Sequence, residues 1–490
     1  MRRTHFDAVS VLAVLIAVLL PAHSESSPIT FERTYGGAGQ DLASSVQQTT
    51  DGGYIVTGTT DDLTDSISAY LVKTDAHGDT LWTRSFGGAQ RIAVSSSVQQ
   101  TTDGGFVVLG GVDSSGSGPG GIWLIKTDAD GDTLWTRVYA GNNGAIMVEQ
   151  TADGGYVMAG TASYSSPSGG DVYVIKTDAG GDTLWTRTYG GPKDDEGASI
   201  QQTSDHGYVI AATTMSFGMS GQNIWLLRTD SMGDTLWTRT FGGDSIDYGG
   251  WAQQTTDGGY FVAGWTWSYS PSPQTYLIKT DAAGDTLWTR TIGGSGWFES
   301  MSGQQVKDGG YIVVGSGEDT TGNIDVCLTR TDANGDSLWT RTFGGSSFDD
   351  GSSVRQTADG GYVICGETYS FGAGDADFYL IKTDADGRLG VAESKTSPTR
   401  APALSLACVP NPFSVSTRIS LSTQASNSKP VLLRVYDVQA RLVRTFATSH
   451  QSCTVWDGRD EAGRLLPSGP YFVRCDSGRE HASTRLILSR

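Results

Sequence analysis

Three aspartates alternate along the segment "KTDADGDTLWTR" (residues 126–137). Alternating carboxylates can present several oxygens to a hard cation such as Ca²⁺, so Asp128, Asp130 and Asp132 are the candidate metal ligands of this sequence. An EF-hand loop has its glycine at the sixth position, whereas Gly131 is fourth from Asp128. Aspartate and glycine at this spacing are typical of a tight turn, and we predict a turn in preference to a metal site.

A group of aromatic and acidic residues is the second candidate for chemistry. The segment "WTWSYS" alternates aromatic residues, and the flanking connections add further rings and acids, which gives the set Trp251, Trp265, Trp267, Tyr269, Trp297, Asp247 and Glu299. Aromatic faces stack on apolar surface, while carboxylates accept hydrogen bonds from ligand groups. We predict that this set binds a glycan or a peptide. The alternative is that some of the rings pack inside the fold.

Further carboxylates lie near the same connections, at Asp194, Asp195, Glu196, Asp349 and Asp350. A general acid and base need a defined separation and shifted pKa values, and the sequence supplies neither. The six histidines are scattered along the chain, without the spacing of a metal or nucleophile site. A polysaccharide-active hydrolase therefore stays an alternative.

The segments that carry these residues belong to a repeat. The "KTDAxGDTLWTR" pattern recurs, and a second marker of the type "QQTTDGGYIVTG" occurs seven times, with its turn aspartate at Asp51, Asp103, Asp153, Asp205, Asp257, Asp308 and Asp359. Successive aspartates are 50 to 52 residues apart. A fixed period of this length predicts a repeat architecture.

Each repeat contains four short runs of β-branched and aromatic residues separated by turn residues, which predicts a four-stranded antiparallel sheet. Such a small sheet must stack on its neighbours, as the blades of a β-propeller do. The seventh repeat ends at "KTDADGRLG" and lacks its last strand, whereas "ITFERTYGG" (residues 29–37) supplies one, with Phe31 at the tryptophan position. We predict an all-β fold over residues 25–387: a seven-bladed propeller closed by the N-terminal strand.

The unit "KTDxxGDxLWTRxxGG…DGGYxVxG", over residues 29 to about 387, resembles the bacterial β-propeller repeats of exported surface proteins. "TDAxGDTLW" is also similar to the docking motif of quinoprotein dehydrogenase propellers, and that resemblance implies a tryptophan packed between blades. The predicted ring has one blade fewer than those dehydrogenases, and the chain lacks an adjacent cysteine pair. We predict no cofactor, and a quinoprotein-like oxidoreductase stays an alternative.

Polar residues that recur in every repeat are interpreted as structural, because repeats keep what stacking requires. We predict a solvated or carboxylate-paired role for the basic residues of the third and fourth strands, of the kind Lys126 and Arg137. For the glutamines of the first strand, Gln48, Gln100, Gln150, Gln202, Gln254, Gln305 and Gln356, we predict bonds to neighbouring backbone or water, with an axial ligand as the alternative.

The last part of the chain has a different pattern. Residues 388–403 form a polar, proline-containing linker, and residues 404–490 alternate short strands with turns, as a small β-sandwich does. This part resembles the immunoglobulin-like module of flagellar hook-capping proteins that also serves as a sorting domain in type IX secretion, on the residues Asn411-Pro412-Phe413, Tyr436-Asp437-Val438, Trp456-Asp457-Gly458 and Tyr471-Phe472. Ala440 departs from a glycine of that family. The resemblance implies outer-membrane secretion machinery as the partner.

The N-terminal segment reads as a signal peptide over residues 1–24, with two arginines, a short apolar run and a small-x-small site ending at Ser24. No later segment approaches the ~20 apolar residues of a membrane span. A net charge of -19 disfavours nucleic acid as a partner. We therefore predict a secreted or cell-surface binding or scaffold protein rather than an enzyme, with a purely structural surface component as the third alternative.

Overall fold

The computed structural model describes residues 28–61, 67–87, 93–112, 120–140, 144–162, 169–293, 296–318, 321–390, 404–409, 413–423, 431–437, 441–448, 453–477 and 480–489. The predicted signal peptide and most of the predicted linker lie outside these residues. The chain divides into two units, residues 1–391 and residues 392–490. Across the described ranges, no helix is long and apolar enough to cross a membrane.

The first unit is built from repeated four-stranded antiparallel sheets, seven of them within the described residues. Sheet 1 contains β2 (Asp41–Gln48), β3 (Tyr54–Asp61), β4 (Ile67–Thr74) and β5 (Thr80–Phe86). Sheet 2 contains β6 (Ala93–Gln100), β7 (Phe106–Val112), β8 (Gly121–Thr127) and β9 (Thr133–Ala140). Sheet 3 contains β10 (Gly144–Gln150), β11 (Tyr156–Ala162), β12 (Asp171–Thr177) and β13 (Thr183–Tyr189).

The next three sheets repeat this order. Sheet 4 contains β14 (Asp195–Gln202), β15 (Tyr208–Thr214), β16 (Asn223–Thr229) and β17 (Thr235–Phe241). Sheet 5 contains β18 (Asp247–Gln254), β19 (Tyr260–Thr266), β20 (Gln274–Thr280) and β21 (Thr286–Ile292). Sheet 6 contains β22 (Phe298–Gln305), β23 (Tyr311–Glu318), β24 (Ile324–Thr331) and β25 (Ser337–Phe343).

Sheet 7 combines the two ends of the unit. It contains β26 (Asp349–Gln356), β27 (Tyr362–Thr368), β28 (Asp377–Thr383) and the N-terminal β1 (Phe31–Tyr35). β1 pairs antiparallel with β28, from Phe31 opposite Lys382 to Tyr35 opposite Phe378. The N-terminal strand thus completes the last sheet, as the truncated seventh repeat predicts.

The middle strands of the sheets are buried on both faces, because each sheet packs between neighbours. In sheet 4, every residue of β16 is buried. One hydrophobic cluster joins sheet 7 to sheet 1 and includes Phe31, Tyr54, Val72 and Leu380. The repeated four-stranded sheets are consistent with a propeller.

The first turn of a sheet depends on an aspartate and on a residue with positive φ, which is glycine in six sheets and His206 (φ 67°) in sheet 4. In sheet 1, Asp51 Oδ1 accepts hydrogen bonds from Thr49 Oγ1 at 2.5 Å and from the Gly53 amide at 3.0 Å. Gly52 has a φ of +84°, which a residue with a Cβ rarely adopts. The Thr-Asp-Gly-Gly marker is therefore the hairpin turn between the first and second strands.

The described residues of the second unit form two antiparallel sheets. One is formed by β29 (Leu404–Val409), β30 (Thr417–Thr423) and β33 (Cys453–Trp456). The other is formed, in spatial order, by β32 (Leu442–Thr448), β31 (Val431–Tyr436), β34 (Gly469–Ser477) and β35 (Glu480–Leu488). The core of the second unit is centred on the buried Trp456. The Trp456 ring contacts Phe413 and Tyr471 at ring-centroid distances of 5.5 and 5.2 Å.

Candidate functional site

The candidate metal ligands Asp128, Asp130 and Asp132 lie in the turn between β8 and β9. Asp128 Oδ1 accepts hydrogen bonds from the backbone amides of Asp130 and Asp132, at 3.0 and 2.9 Å. The Asp132 carboxylate accepts a hydrogen bond from Arg84 of sheet 1 at 3.0 Å. These oxygens therefore serve the turn and the contact between sheets. In the described part of the chain, no three His, Cys, Asp or Glu side chains are grouped as metal ligands would be.

The recurring tryptophan packs between sheets, as predicted. The Trp185 ring of sheet 3 meets Tyr208 of sheet 4 edge-on, with centroids 5.8 Å apart. Phe31 makes the same contact with Tyr54 between sheets 7 and 1, also at 5.8 Å. Gly233 lies beneath Trp185, and a Cβ there would come within 3.0 Å of the ring. The glycine of each "DxxGD" turn thus leaves room for the preceding sheet's ring.

Most of the recurring basic residues are paired with carboxylates, which confirms their structural interpretation. Lys176 is buried, and its Nζ lies 2.9 Å from Asp153. Burial raises the pKa of Asp153, but hydrogen bonds from Thr151, Lys176 and Gly155 outweigh it and lower the pKa to about 2. Equivalent pairs recur around the unit, so these charges are committed to the fold.

The structure brings together two of the predicted ligand-binding aromatic residues and places a third, Tyr269, at the same end of the unit. The Trp267 and Trp297 rings meet edge-on with centroids 6.3 Å apart. Tyr269 leans on the Tyr276 ring at 5.5 Å and is 54% exposed, while Trp297 is 38% exposed. These residues lie in the β19–β20 loop and just before β22, which belong to the end of the unit where the repeats differ. We call this end the loop end.

Two other predicted residues support the loop end from below. Trp265 is half-buried and stacks on Tyr248 at 5.5 Å with an interplanar angle of 12°. Asp247 is fully buried, and its carboxylate accepts hydrogen bonds from Thr266, from Ser268 Oγ at 2.7 Å and from the Gly243 amide. Asp247 therefore holds the start of the β19–β20 loop and is not available to a ligand. The same position is a buried aspartate in other sheets, at Asp41, Asp195 and Asp349.

Glu299 lies in an acidic group that extends beyond the predicted set. Burial raises its pKa to about 7, a hydrogen bond from Trp297 opposes this, and Asp350 adds to it. Burial and Asp350 likewise raise the pKa of Glu367 to about 7. Asp350 lies opposite Glu367 in the β26–β27 pairing and accepts a hydrogen bond from Ser316. Sequence reasoning missed Glu367, because only the strand register shows that it faces Asp350.

The remaining predicted residue, Trp251, lies in a different place. It lines a cavity of about 290 Å³ that the first strands of all seven sheets surround, which we call the central cavity. The Arg355 guanidinium lies over the Trp251 ring, 4.3 Å from its centroid. Glu149 also lines this cavity. A signal for Arg355 and Glu149 was present in the sequence, because both replace the first glutamine of the "QQ" marker.

The recurring glutamines behave as predicted. Gln100 Oε1 accepts a hydrogen bond from the Thr50 amide in the first turn of the preceding sheet, at 2.8 Å. Gln48 Oε1 accepts the equivalent bond from Ala358 of sheet 7, at 2.8 Å. These side chains join one sheet to the next.

No protein-family model and no curated protein matches this chain. Similar solved structures include puromycin hydrolase (12% identity, 80% of this chain, 61% of that chain, TM-score 0.46). They also include PorZ, a surface component of the type-IX secretion system of Porphyromonas gingivalis (10% identity, 92% and 74%, TM-score 0.35). A third is an exo-beta-1,3-galactanase from Phanerochaete chrysosporium (13% identity, 85% and 92%, TM-score 0.32). Likenesses this low assign neither an activity nor a partner to this chain.

Proposed function

We propose that the chain is an exported, non-catalytic binding protein whose first unit is a seven-bladed β-propeller, with a loop end that binds a glycan or a peptide. The observation that carries this proposal is the exposure of the Tyr269 and Trp297 rings at the loop end, with the half-buried Trp267 packed against Trp297. The recurring residues described above are engaged in turns, in ion pairs and in contacts between sheets. A ligand must therefore be recognised where the repeats differ.

Ring closure is supported by three contacts between the first and last repeats. β1 completes sheet 7 through its pairing with β28. The Phe31 ring packs on Tyr54 of sheet 1. The bond from Ala358 to Gln48 continues between sheets 7 and 1 the series that joins the other sheets. A ring closed in this way gives every sheet its fourth strand and holds the loops in a fixed arrangement.

The loop end has the composition of a recognition surface. It also exposes Phe217 and Met219 in the β15–β16 loop and Tyr369 and Phe371 in the β27–β28 loop, each of them large and apolar. Exposed apolar groups bordered by polar ones are typical of binding sites. Glu299 lies beside Trp297 and, with its pKa of about 7, can both donate and accept hydrogen bonds at neutral pH. Flat rings with such a group suit a sugar face or a peptide.

The test is binding of the full chain to glycan and peptide arrays. We expect Trp297→Ala combined with Tyr269→Ala to reduce binding of a captured ligand at least about tenfold, because stacked aromatic anchors dominate such sites. Met232→Ala is the matched control, since Met232 is 54% exposed but lies in the β16–β17 turn, at the other end of its sheet. Equal binding by the double variant and the control would refute the proposal.

A hydrolase is the second candidate, because Glu299 and Glu367 combine raised pKa values with the nearby carboxylate of Asp350. A carboxylic acid kept protonated beside an ionised one is the arrangement that glycoside hydrolysis uses. If a captured glycan is cleaved by the native chain, and Glu299→Gln or Glu367→Gln abolishes cleavage but keeps binding, the hydrolase replaces the non-catalytic proposal. Intact glycan after prolonged incubation supports the binding protein.

We further propose that the second unit is an immunoglobulin-like sorting domain and that residues 1–24 are a signal peptide. Support for the domain comes from its two antiparallel sheets around Trp456, Phe413 and Tyr471, residues that carry the resemblance to the hook-capping module. We expect deletion of residues 397–490 to leave the first unit in the periplasm, measured by fractionation and surface labelling. Delivery of the truncated chain to the surface would contradict this role.

A further inference from the structure

The central cavity is lined by two positions of each first strand, and both positions depart from the repeat in particular sheets. One position is glutamine in five sheets, as at Gln47, but Glu149 in sheet 3 and Arg355 in sheet 7. The position two residues earlier is serine in five sheets, as at Ser45, but Met147 in sheet 3 and Trp251 in sheet 5. Four bulky or charged side chains therefore converge on an otherwise small, neutral lining.

The repeated glutamine has a structural task that Arg355 does not perform. Gln47 Oε1 accepts a hydrogen bond from the Gln100 amide of the next sheet at 2.6 Å. Glu149 Oε2 keeps this task by accepting from the Gln202 amide at 2.8 Å. A guanidinium has no acceptor, and Arg355 instead donates to the Val354 carbonyl at 2.7 Å. Stacking of the sheets does not account for an arginine here.

Among the described residues, Arg355 lacks the direct ion pair that comparable cations have. Lys176 and Arg330 are buried and each contacts a carboxylate, Asp153 and Asp308 respectively. Among the described residues, no carboxylate oxygen lies within 4.0 Å of Arg355. Burial lowers the pKa of Arg355 to about 10, so it stays charged at neutral pH. The charge of Glu149, which lines the same cavity, favours the charged form of Arg355 without a direct ion pair. An anion in contact with the half-buried guanidinium would supply that ion pair.

Trp251 supplies a second unused donor at the same place. Its indole Nε1 is buried and has no hydrogen-bond partner in the described structure. Its ring lies against the Arg355 guanidinium, which fixes the orientation of both groups. Met147 adds apolar surface to the same cavity. The cavity therefore offers a cation and an apolar wall, and the unpaired indole N–H belongs to a residue of that wall.

We propose that the central cavity binds a small organic carboxylate. Its carboxylate group accepts hydrogen bonds from Arg355 and from the Trp251 indole, and its apolar body lies along the Trp251 ring and Met147. A ligand that also carries an ammonium group, such as a free amino acid, places it at Glu149. This site is independent of the ligand proposed for the loop end.

The test is calorimetric titration of the full chain with benzoate, benzamide and L-phenylalanine. We expect benzoate to bind at least about tenfold more tightly than its neutral isostere benzamide, because the bonds to a charged group are the stronger ones. Arg355→Gln installs the residue that five other sheets carry, and we expect it to weaken benzoate binding at least about tenfold. Arg341→Gln is the matched control, since Arg341 lies on β25 over Trp339.

Several outcomes would overturn this proposal. They are no binding of benzoate or L-phenylalanine to the native chain, equal binding of benzamide and benzoate, or unchanged benzoate binding in Arg355→Gln. Tighter binding of L-phenylalanine than benzoate, with the difference lost in Glu149→Gln, would identify amino acids as the source of the carboxylate. Thermal melts of each variant establish that lost binding is not lost folding.

Discussion

The single ring of Phe31 should control whether the first unit stays closed. Phe31 is 7% exposed and contacts both β28, within its own sheet, and Tyr54, in sheet 1. Replacing a buried phenylalanine with alanine costs about 3–5 kcal/mol. β1 has only five paired residues with which to offset this loss. We therefore expect Phe31→Ala to let β1 detach while sheets 2 to 6 remain folded.

Hydrogen exchange of the full chain measures this detachment directly. A loss of about 3 kcal/mol corresponds to roughly 100-fold faster exchange, and we expect it in β1 and β28. Exchange in β16 should not change. Phe31→Trp is the matched variant, because it installs the residue of the other repeats and should leave β1 as protected as in the native chain. If Phe31→Ala speeds exchange in β1 and β28 less than about fivefold, or speeds it equally in all sheets, Phe31 does not hold β1 in place and does not control closure of the unit.

Three further predictions concern the charges of the first unit. The free energy of unfolding, measured by denaturation at a series of pH values, should be greatest near pH 4–5. Asp51 and Asp153 have pKa values lowered to about 2 in the folded chain, so stability is lost as the pH falls from about 4 to 2. The raised pKa values of Glu149 and Glu299, about 7, mean that stability also falls as pH rises from about 4.5 to 7, because ionisation is unfavourable in the folded state. Asp153→Ala should lower the free energy of unfolding by about 3 kcal/mol, because it leaves Lys176 buried without its carboxylate. Arg187→Ala removes an exposed pair with Asp234, and beyond the loss of the contact with Trp185 it should lower the free energy of unfolding by less than about 1 kcal/mol. Equal effects of the two variants in urea denaturation would contradict this. Arg355→Gln should raise the melting temperature of the ligand-free chain, because it removes an unpaired charge and restores an acceptor worth about 1 kcal/mol; a lower melting temperature would mean that Arg355 stabilises the fold.

The repeat made much of the fold predictable. The four strand signals of each unit agree with the four strands of each sheet, and the Asp-Gly segments agree with the first turns. The recurring tryptophan, such as Trp135, forms the predicted contact between sheets. Phe31 was identifiable as a member of the missing strand because its flanking sequence matches the repeat. A pattern that occurs many times averages out the local ambiguity of any one strand.

The candidate site was harder to predict, because it consists of departures from the repeat. Asp247 is predicted to contact a ligand because aromatic residues lie near it in the sequence. The structure shows a recurring structural position, with buried aspartates also at Asp195 and Asp349. Each first strand also contains a bulge, between Gly249 and Trp251 in sheet 5, which changes the face on which later residues lie. Sequence alternation therefore could not place Trp251 in the central cavity and away from Trp267.

The most direct test of the proposed function is a hydrogen-exchange footprint of the ligand captured on the arrays. We expect slower exchange in the β19–β20 loop around Trp267 and Tyr269 and in the segment from Gly296 to Glu299. Protection confined to the turns opposite the loop end, such as the one at Met232, or to the second unit would contradict it.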